Sequence, residues 1–242
     1  MTDDDPARGT ETPYDTSKTS SIEMWAQKRR LADAMRTVID RLVASAAPEE
    51  ELRAAAEALE RYAERLASHP RLPRFMGYAE AANSGDVLAF FDQSPLMGLA
   101  NPLAPPITMA RTGPRSVVGI ATFGSAYEGP PSSVHGGYVA AAFDEVLGFA
   151  QSTSGRGGMT GTLTVRCRRP TPLHRELRIE AELTRTEGRK IFCHGRILAG
   201  EETTAEAEGI FVTVPLERME ALRERRDAYE RSLERGRGSG NP

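Results

Sequence analysis

Between residues 21 and 67 the apolar positions recur every three or four residues; from residue 107 onward they recur every second residue. The change of period divides the chain into a helical part and a stranded part. Leu31, Met35, Val38, Ile39 and Leu42 make one apolar stripe and predict an amphipathic helix. Ala47-Pro48-Glu49-Glu50 ends that helix and opens a second, with proline and acidic residues in its first turn. Leu52, Leu59, Tyr62 and Leu66 form the second stripe, and His69-Pro70 and Leu72-Pro73 close it. Residues 21–69 are therefore expected to form an N-terminal helical hairpin, packed on its own body or on a twin. A partner-recruiting module is the other reading.

Residues 70–106 are rich in proline and glycine and predict an extended linker packing on the body. Residues 107–111 and 116–123 flank Thr112-Gly113-Pro114 and predict a hairpin. Further on, Leu163, Val165 and Cys167 alternate with Thr164, Arg166 and Arg168, and Leu177, Ile179, Ala181 and Leu183 alternate with charged residues and Thr184. Ile191, Cys193 and Ile197 share one parity, as do Ile210, Val212 and Val214. Period two with one polar face predicts an antiparallel sheet covered on one side, its late strands joined as consecutive hairpins. Residues 216–235 alternate Glu and Arg around Met219, Leu222, Tyr229 and Leu233, the pattern of an exposed, ion-paired helix.

Among these strands lies one segment of a different kind. Residues 138–143 are apolar or aromatic on every side, with three consecutive alanines, which predicts a buried helix rather than a strand. A helix buried so fully among strands must be wrapped by the sheet. The predicted class is α+β, with residues 1–20 a disordered tail, 107–215 the sheet-and-helix domain, and 216–242 a C-terminal helix and tail.

Composition narrows the function classes. The 242 residues are 39% apolar and 27% charged with a net charge of −3, which argues against bulk binding of nucleic acid or an anionic membrane. Basic charge is nearly all arginine, whose planar fork suits phosphate; Lys18, Lys28 and Lys190 are the three lysines. Cys167 and Cys193 each fall in a strand-like run and read as small buried thiols in a reducing compartment. Dispersed histidines and cysteines give no metal-ligand spacing. The acidic N-terminus lacks the basic and apolar regions of a signal peptide, and no apolar run reaches the roughly 18 residues of a membrane span. A soluble, cytoplasmic protein is expected.

Candidate chemistry gathers on the buried helix. Gly136 and Gly137 precede it, so its unpaired N-terminal amides and positive dipole end can approach an anion or oxyanion. The glycines could equally serve only a tight strand-to-helix turn. Asp144, nine residues after His135, places a carboxylate in an apolar helix, which is costly unless paired. It is either a general base or nucleophile, or a solvated residue at the helix end.

His135-Gly136-Gly137 with Asp144, in a helix followed by antiparallel strands, resembles the PaaI-type hotdog-fold acyl-CoA thioesterases. Met159-Thr160-Gly161-Thr162-Leu163-Thr164-Val165 and Arg168-Arg169-Pro170-Thr171-Pro172-Leu173 resemble that family's second central strand and exit turn. Glu187-Gly188-Arg189-Lys190 resembles its next hairpin turn, and Ala100-Asn101-Pro102-Leu103-Ala104-Pro105-Pro106 the entry to its first strand. The resemblance spans about residues 94–215 and implies a hotdog fold, an antiparallel sheet wrapped around the central helix, in a homodimer or dimer of dimers with the site at the sheet-to-sheet interface. It implies hydrolysis of an acyl-CoA without a resident cofactor or metal. The Gly136 amide would polarise the carbonyl, Gly137 shape the turn, and His135 orient the loop. Asp144 would activate water or attack directly, and Thr160 of the partner chain would position the water or the carboxylate. Gly129 stands where some relatives carry Asn, and whether Ser132 or Ser133 takes over that role is open at this point. Arg169, Arg189 and Lys190 are candidates for the CoA nucleotide, and Tyr138, Phe143 and Phe149 for an acyl pocket. A non-catalytic acyl-CoA binding module on the same fold is the alternative. A hotdog hydratase fits less well, because no histidine follows Asp144 within the helix. Acyl-chain type and CoA against acyl carrier protein stay open.

Overall fold

A computed structural model describes residues 23–69 and 92–215 and scattered helical residues between 217 and 232. The expected tails and residues 70–91 of the linker lie outside the described residues. Two helices, α1 (Glu23–Val43) and α2 (Glu49–Ala67), lead into a hairpin of β1 (Thr108–Arg111) and β2 (Ser116–Thr122). After a 3₁₀ turn at Ser125–Tyr127 come α3 (Gly136–Ser152) and strands β3 (Gly158–Cys167), β4 (Glu176–Glu187), β5 (Lys190–Ala199) and β6 (Glu202–Thr213). The strands form one six-stranded sheet in the order β1-β2-β4-β5-β6-β3, and every pairing is antiparallel.

The periodicity located the strands, and the connections differ from expectation in one place. β4, β5 and β6 are consecutive hairpins, turning through Gly188 and Gly200, whose φ values of 54° and 67° suit residues without a Cβ. β3 instead pairs with β6, so the chain crosses the sheet between β3 and β4. Within one chain β3 is therefore an edge strand and not a central one.

The sheet covers α3 with one face. Leu177, Ile179, Ile191, Ile197 and Phe211 are fully buried against Phe143, Val146, Leu147 and Phe149. Close approach depends on glycines at the centre of that face. A Cβ at Gly119 would lie 2.8 Å from Val146 Cγ2, and Cβ atoms at Gly195 and Gly209 would lie 3.2 and 3.3 Å from the two methyls of Leu147. The same crowding explains a reversal in β6. Ala205, Ala207, Gly209 and Phe211 face the helix, and the larger Ile210 and Val212 take the other face. Cys193 is buried, and burial pushes its thiol up to about 12, so it is inert; Cys167, expected to be buried too, is exposed on β3.

The helical arm also departs from expectation. α1 buries Trp25 and Ala32 and makes specific polar contacts to the body. Arg29 makes a forked ion pair with the buried Asp92, at 2.6 and 2.9 Å, and Arg36 donates to the carbonyls of Leu99 and Asn101. Asp40 Oδ1 accepts the Ser125 N–H at 2.5 Å, in a space that exists because Gly124 has no side chain. The stripe residues Met35, Val38 and Leu42 stay exposed. α2 buries no residue at all.

Candidate active site

His135 caps α3 and decides how the helix's first amides are used. Its Nδ1 accepts the Gly137 N–H at 3.0 Å, and its carbonyl accepts the N–H groups of Tyr138 and Val139. The neutral ring therefore carries its proton on Nε2. Of the helix's four leading amides, that of Gly136 alone finds no acceptor among the described residues. Among the described residues a Cβ at Gly136 would meet nothing within 4 Å, so none of them crowds the space beside that residue. An unpaired N–H at the positive end of a helix is suited to a developing oxyanion.

The turn behind His135 is fixed from several sides. Its own N–H donates to the Tyr127 carbonyl at 2.9 Å, and Val134 N–H donates to the Thr171 carbonyl at 2.8 Å. The Tyr127 ring stands edge-on to Tyr138, with centroids 4.8 Å apart. Burial, then the neighbouring Tyr138, pushes the Tyr127 phenol up to about 12, so it stays protonated and donates to the Leu103 carbonyl at 2.9 Å. Gly129 is required where it stands, because a Cβ there would lie 2.7 Å from His135 Cα. An asparagine would not fit this loop. Ser133 does not stand in for one, since it is buried and its hydroxyl donates to the Pro131 carbonyl.

Asp144 lies two turns further along α3, half-buried. Thr160 Oγ1 donates to its Oδ1 at 2.7 Å, and Oδ2 makes no hydrogen bond among the described residues. This contact is made within one chain, which corrects the expectation that Thr160 comes from a partner. A β-bulge makes it possible. The register of β3 against β6 shifts between Thr160 and Thr162. Before the shift Gly158 and Thr160 face α3; after it Leu163 and Val165 take the inward parity and pack against the core. Without the bulge, the alternation that buries Leu163 and Val165 would turn Thr160 to the outer face. Replacing Thr160 with valine keeps the shape and removes the donor. A 10- to 100-fold loss of kcat with little change in KM is expected, the ~1.5–3 kcal/mol of a hydrogen bond to a charged group; serine should restore most of the rate in the same steady-state assay.

Gln151, one residue the sequence reading passed over, lies seven positions after Asp144 on the same helix face. It is buried, and its amide nitrogen reaches the Gly158 carbonyl at 3.5 Å, at the start of the strand that carries Thr160. A polar residue at that spacing in an apolar helix was the available signal.

The other expected site residues divide into two groups. Phe143 and Phe149 are wholly inside the core, whereas Tyr138 is exposed beside His135. Arg169 lies two residues before Thr171, at the His135 end of the sheet, and pairs with Glu202. Arg189 donates to the Thr213 carbonyl at 3.0 Å, in the β4–β5 turn, at the end where β3 begins. Lys190 opens β5 beside it and is exposed. No group of His, Cys, Asp and Glu suited to a metal occurs among the described residues. No described helix is long and apolar enough to cross a membrane.

Comparison with known proteins places this arrangement. A family model described as the thioesterase superfamily matches residues 132–206, the stretch from the His135 turn through β3 to β6. The crystal structure of a thioesterase superfamily protein is 35% identical, with a TM-score of 0.68, and the match covers 76% of this chain and 94% of that one. The chain belongs to the thioesterase superfamily. Its sheet wrapped on α3 is the hotdog fold of that superfamily. The superfamily member is also 34% identical over 93 residues to acyl-coenzyme A thioesterase THEM4 of Bos taurus, covering 38% of each chain. To acyl-coenzyme A thioesterase THEM5 of Homo sapiens it is 30% identical over 96 residues, 39% of each. It thus spans about two fifths of the length of the curated relatives it matches.

Proposed function

We propose that this protein hydrolyses an acyl-CoA thioester at a site that two copies of the chain build together. The observation that carries the reading is the separation of its two reactive groups. Gly136 and Asp144 are eight residues apart on one helix, about 12 Å along its axis at 1.5 Å per residue. One carbonyl cannot be gripped by that amide and attacked from that carboxylate in the same chain. A two-fold pairing brings Gly136 of one copy to Asp144 and Thr160 of the other. The free edge of β3 supports such a pairing. It is ten residues long and exposes Met159 and part of Leu163 and Val165, the kind of edge that recruits another strand.

In this site the Gly136 amide polarises the thioester carbonyl and holds the oxyanion. Thr160 fixes Oδ1 of the other copy's Asp144 and leaves Oδ2 to act. Oδ2 either takes a proton from a water that attacks the carbonyl carbon, or attacks that carbon itself to form an anhydride that water then opens. Either way the C–S bond breaks, the thiolate leaves as CoA and is protonated, and the free acid is released. His135 and Gly137 hold the turn. The same pairing brings the two basic groups together: Arg169 travels with Gly136, and Arg189 and Lys190 travel with Asp144. Phosphate contact suits all three. The names of the acyl-coenzyme A thioesterase relatives agree with a CoA substrate.

The direct test is thiol release over a panel of acyl-CoAs, from short aliphatic to long and aromatic chains, alongside acyl carrier protein thioesters. Steady multiple turnover on at least one acyl-CoA is expected. Saturable binding of the panel with no turnover would reject the hydrolase and leave a binding module.

A further inference from the structure

We propose that α2 is a self-association helix that pairs antiparallel with α2 of a second copy of this chain. This inference is independent of the catalytic reading. Most helical stability in proteins comes from packing an apolar face. Yet the 19 residues of α2 bury nothing, and Leu52, Leu59 and Leu66 are 42%, 52% and 49% exposed. These leucines are spaced at seven and seven. Ala55 and Tyr62 fall three positions after the first two, and alanine occupies positions 56, 58 and 63 beside them. That is the narrow seam of a coiled coil rather than the broad face of a helix lying on a globular core. Small flanking residues allow two helices to approach closely.

Charge identifies the occupant and its direction. The seam is flanked by Glu51 at one end and Arg65 at the other, with Ala58 between them. Two copies laid antiparallel about Leu59 put Leu52 level with the partner's Leu66. Glu51 then lies beside the partner's Arg65, and the symmetry repeats both contacts. A parallel pair would set Glu51 against the partner's Ala56 and keep Glu51 and Arg65 apart, so neither ion pair would form. Glu49 extends the acidic end, and the remaining charges, Glu50, Arg53, Glu57, Glu60, Arg61 and Glu64, fall on the outer heptad positions away from the seam. The helix is therefore complementary to its own reverse.

Cysteine cross-linking of the full chain tests this, in a Cys167→Ser background so that the exposed native thiol does not react. Leu59→Cys sits at the two-fold point and should give a disulfide-linked dimer in high yield under mild oxidation. Leu52→Cys should give at least ~5-fold less, because two copies of that position would be about 21 Å apart in the antiparallel pair, far beyond disulfide reach. In the Leu59→Cys protein, Glu51→Arg alone and Arg65→Glu alone should each lower the yield several-fold, and the two together should restore it. All substituted positions are exposed, so folding is not at stake. Absence of cross-linking at position 59 would mean that something else covers α2 and would overturn the proposal. So would equal yields at 52 and 59, or charge reversals without effect.

Discussion

Replacing Asp144 with asparagine is expected to lower kcat on the best acyl-CoA by at least ~100-fold, the low end for loss of a general base. Unfolding should stay near that of the native protein. The two expectations separate chemistry from structure. Asp144 is half-buried, and its one hydrogen-bond partner among the described residues is Thr160. An asparagine oxygen can still accept that hydroxyl, so shape and contact persist while the reactive oxygen becomes an amide nitrogen. KM should change little, because in the proposed reaction the carboxylate would be used on the way to the transition state rather than in holding CoA. Turnover close to the native rate, in a variant that unfolds normally, would remove Asp144 from the mechanism.

Mixing two inactive variants should restore activity. Gly136→Val would place a side chain against the carbonyl of the proposed site, and because a Cβ at that position meets none of the described residues, the fold should accept it. Asp144→Ala removes the carboxylate. Each homodimer has two broken sites. In a mixed dimer one site takes its amide from the Asp144→Ala chain and its carboxylate from the Gly136→Val chain, and is intact. Random exchange would make half the dimers mixed, each with one working site of two, so recovery to about a quarter of native activity is expected from the two-fold symmetry. Recovery is measured after co-refolding, against each variant treated alone. If the amide and carboxylate of a single chain served one carbonyl, no recovery would occur.

Much of the fold was legible because two periods were clean. Three-and-four spacing marked α1 and α2, alternation marked the strands, and the fully apolar stretch before Asp144 marked α3. What failed did so for physical reasons. The inward parity of β6 was hidden because the positions facing α3 must be small, and apolar size pointed to the wrong face. The place of β3 at the sheet edge depends on a non-local pairing that no local pattern carries. The same holds for the arm, where α1 is anchored by Arg29, Arg36 and Asp40 rather than by its apolar stripe.

The candidate site was legible as a set of residues and not as a geometry. Gly136 and Asp144 could be singled out from the apolar helix they sit on, and His135 through the resemblance that the whole motif carries. That Thr160 meets Asp144 in its own chain depends on the bulge beside Gly161, and a glycine inside a strand was the sign of it. Gly129, read as a missing asparagine, turns out to be set by the closeness of His135.

Asp40 clasps the Ser125 amide, and two residues later the Tyr127 carbonyl fastens the His135 amide. Helix α1 is thus bolted to the backbone that leads into the His135 turn, not hung beside it. A shortened protein beginning after α1 would lose a brace from the turn that carries His135, and a tag or fusion that levers on α1 would be felt there as well.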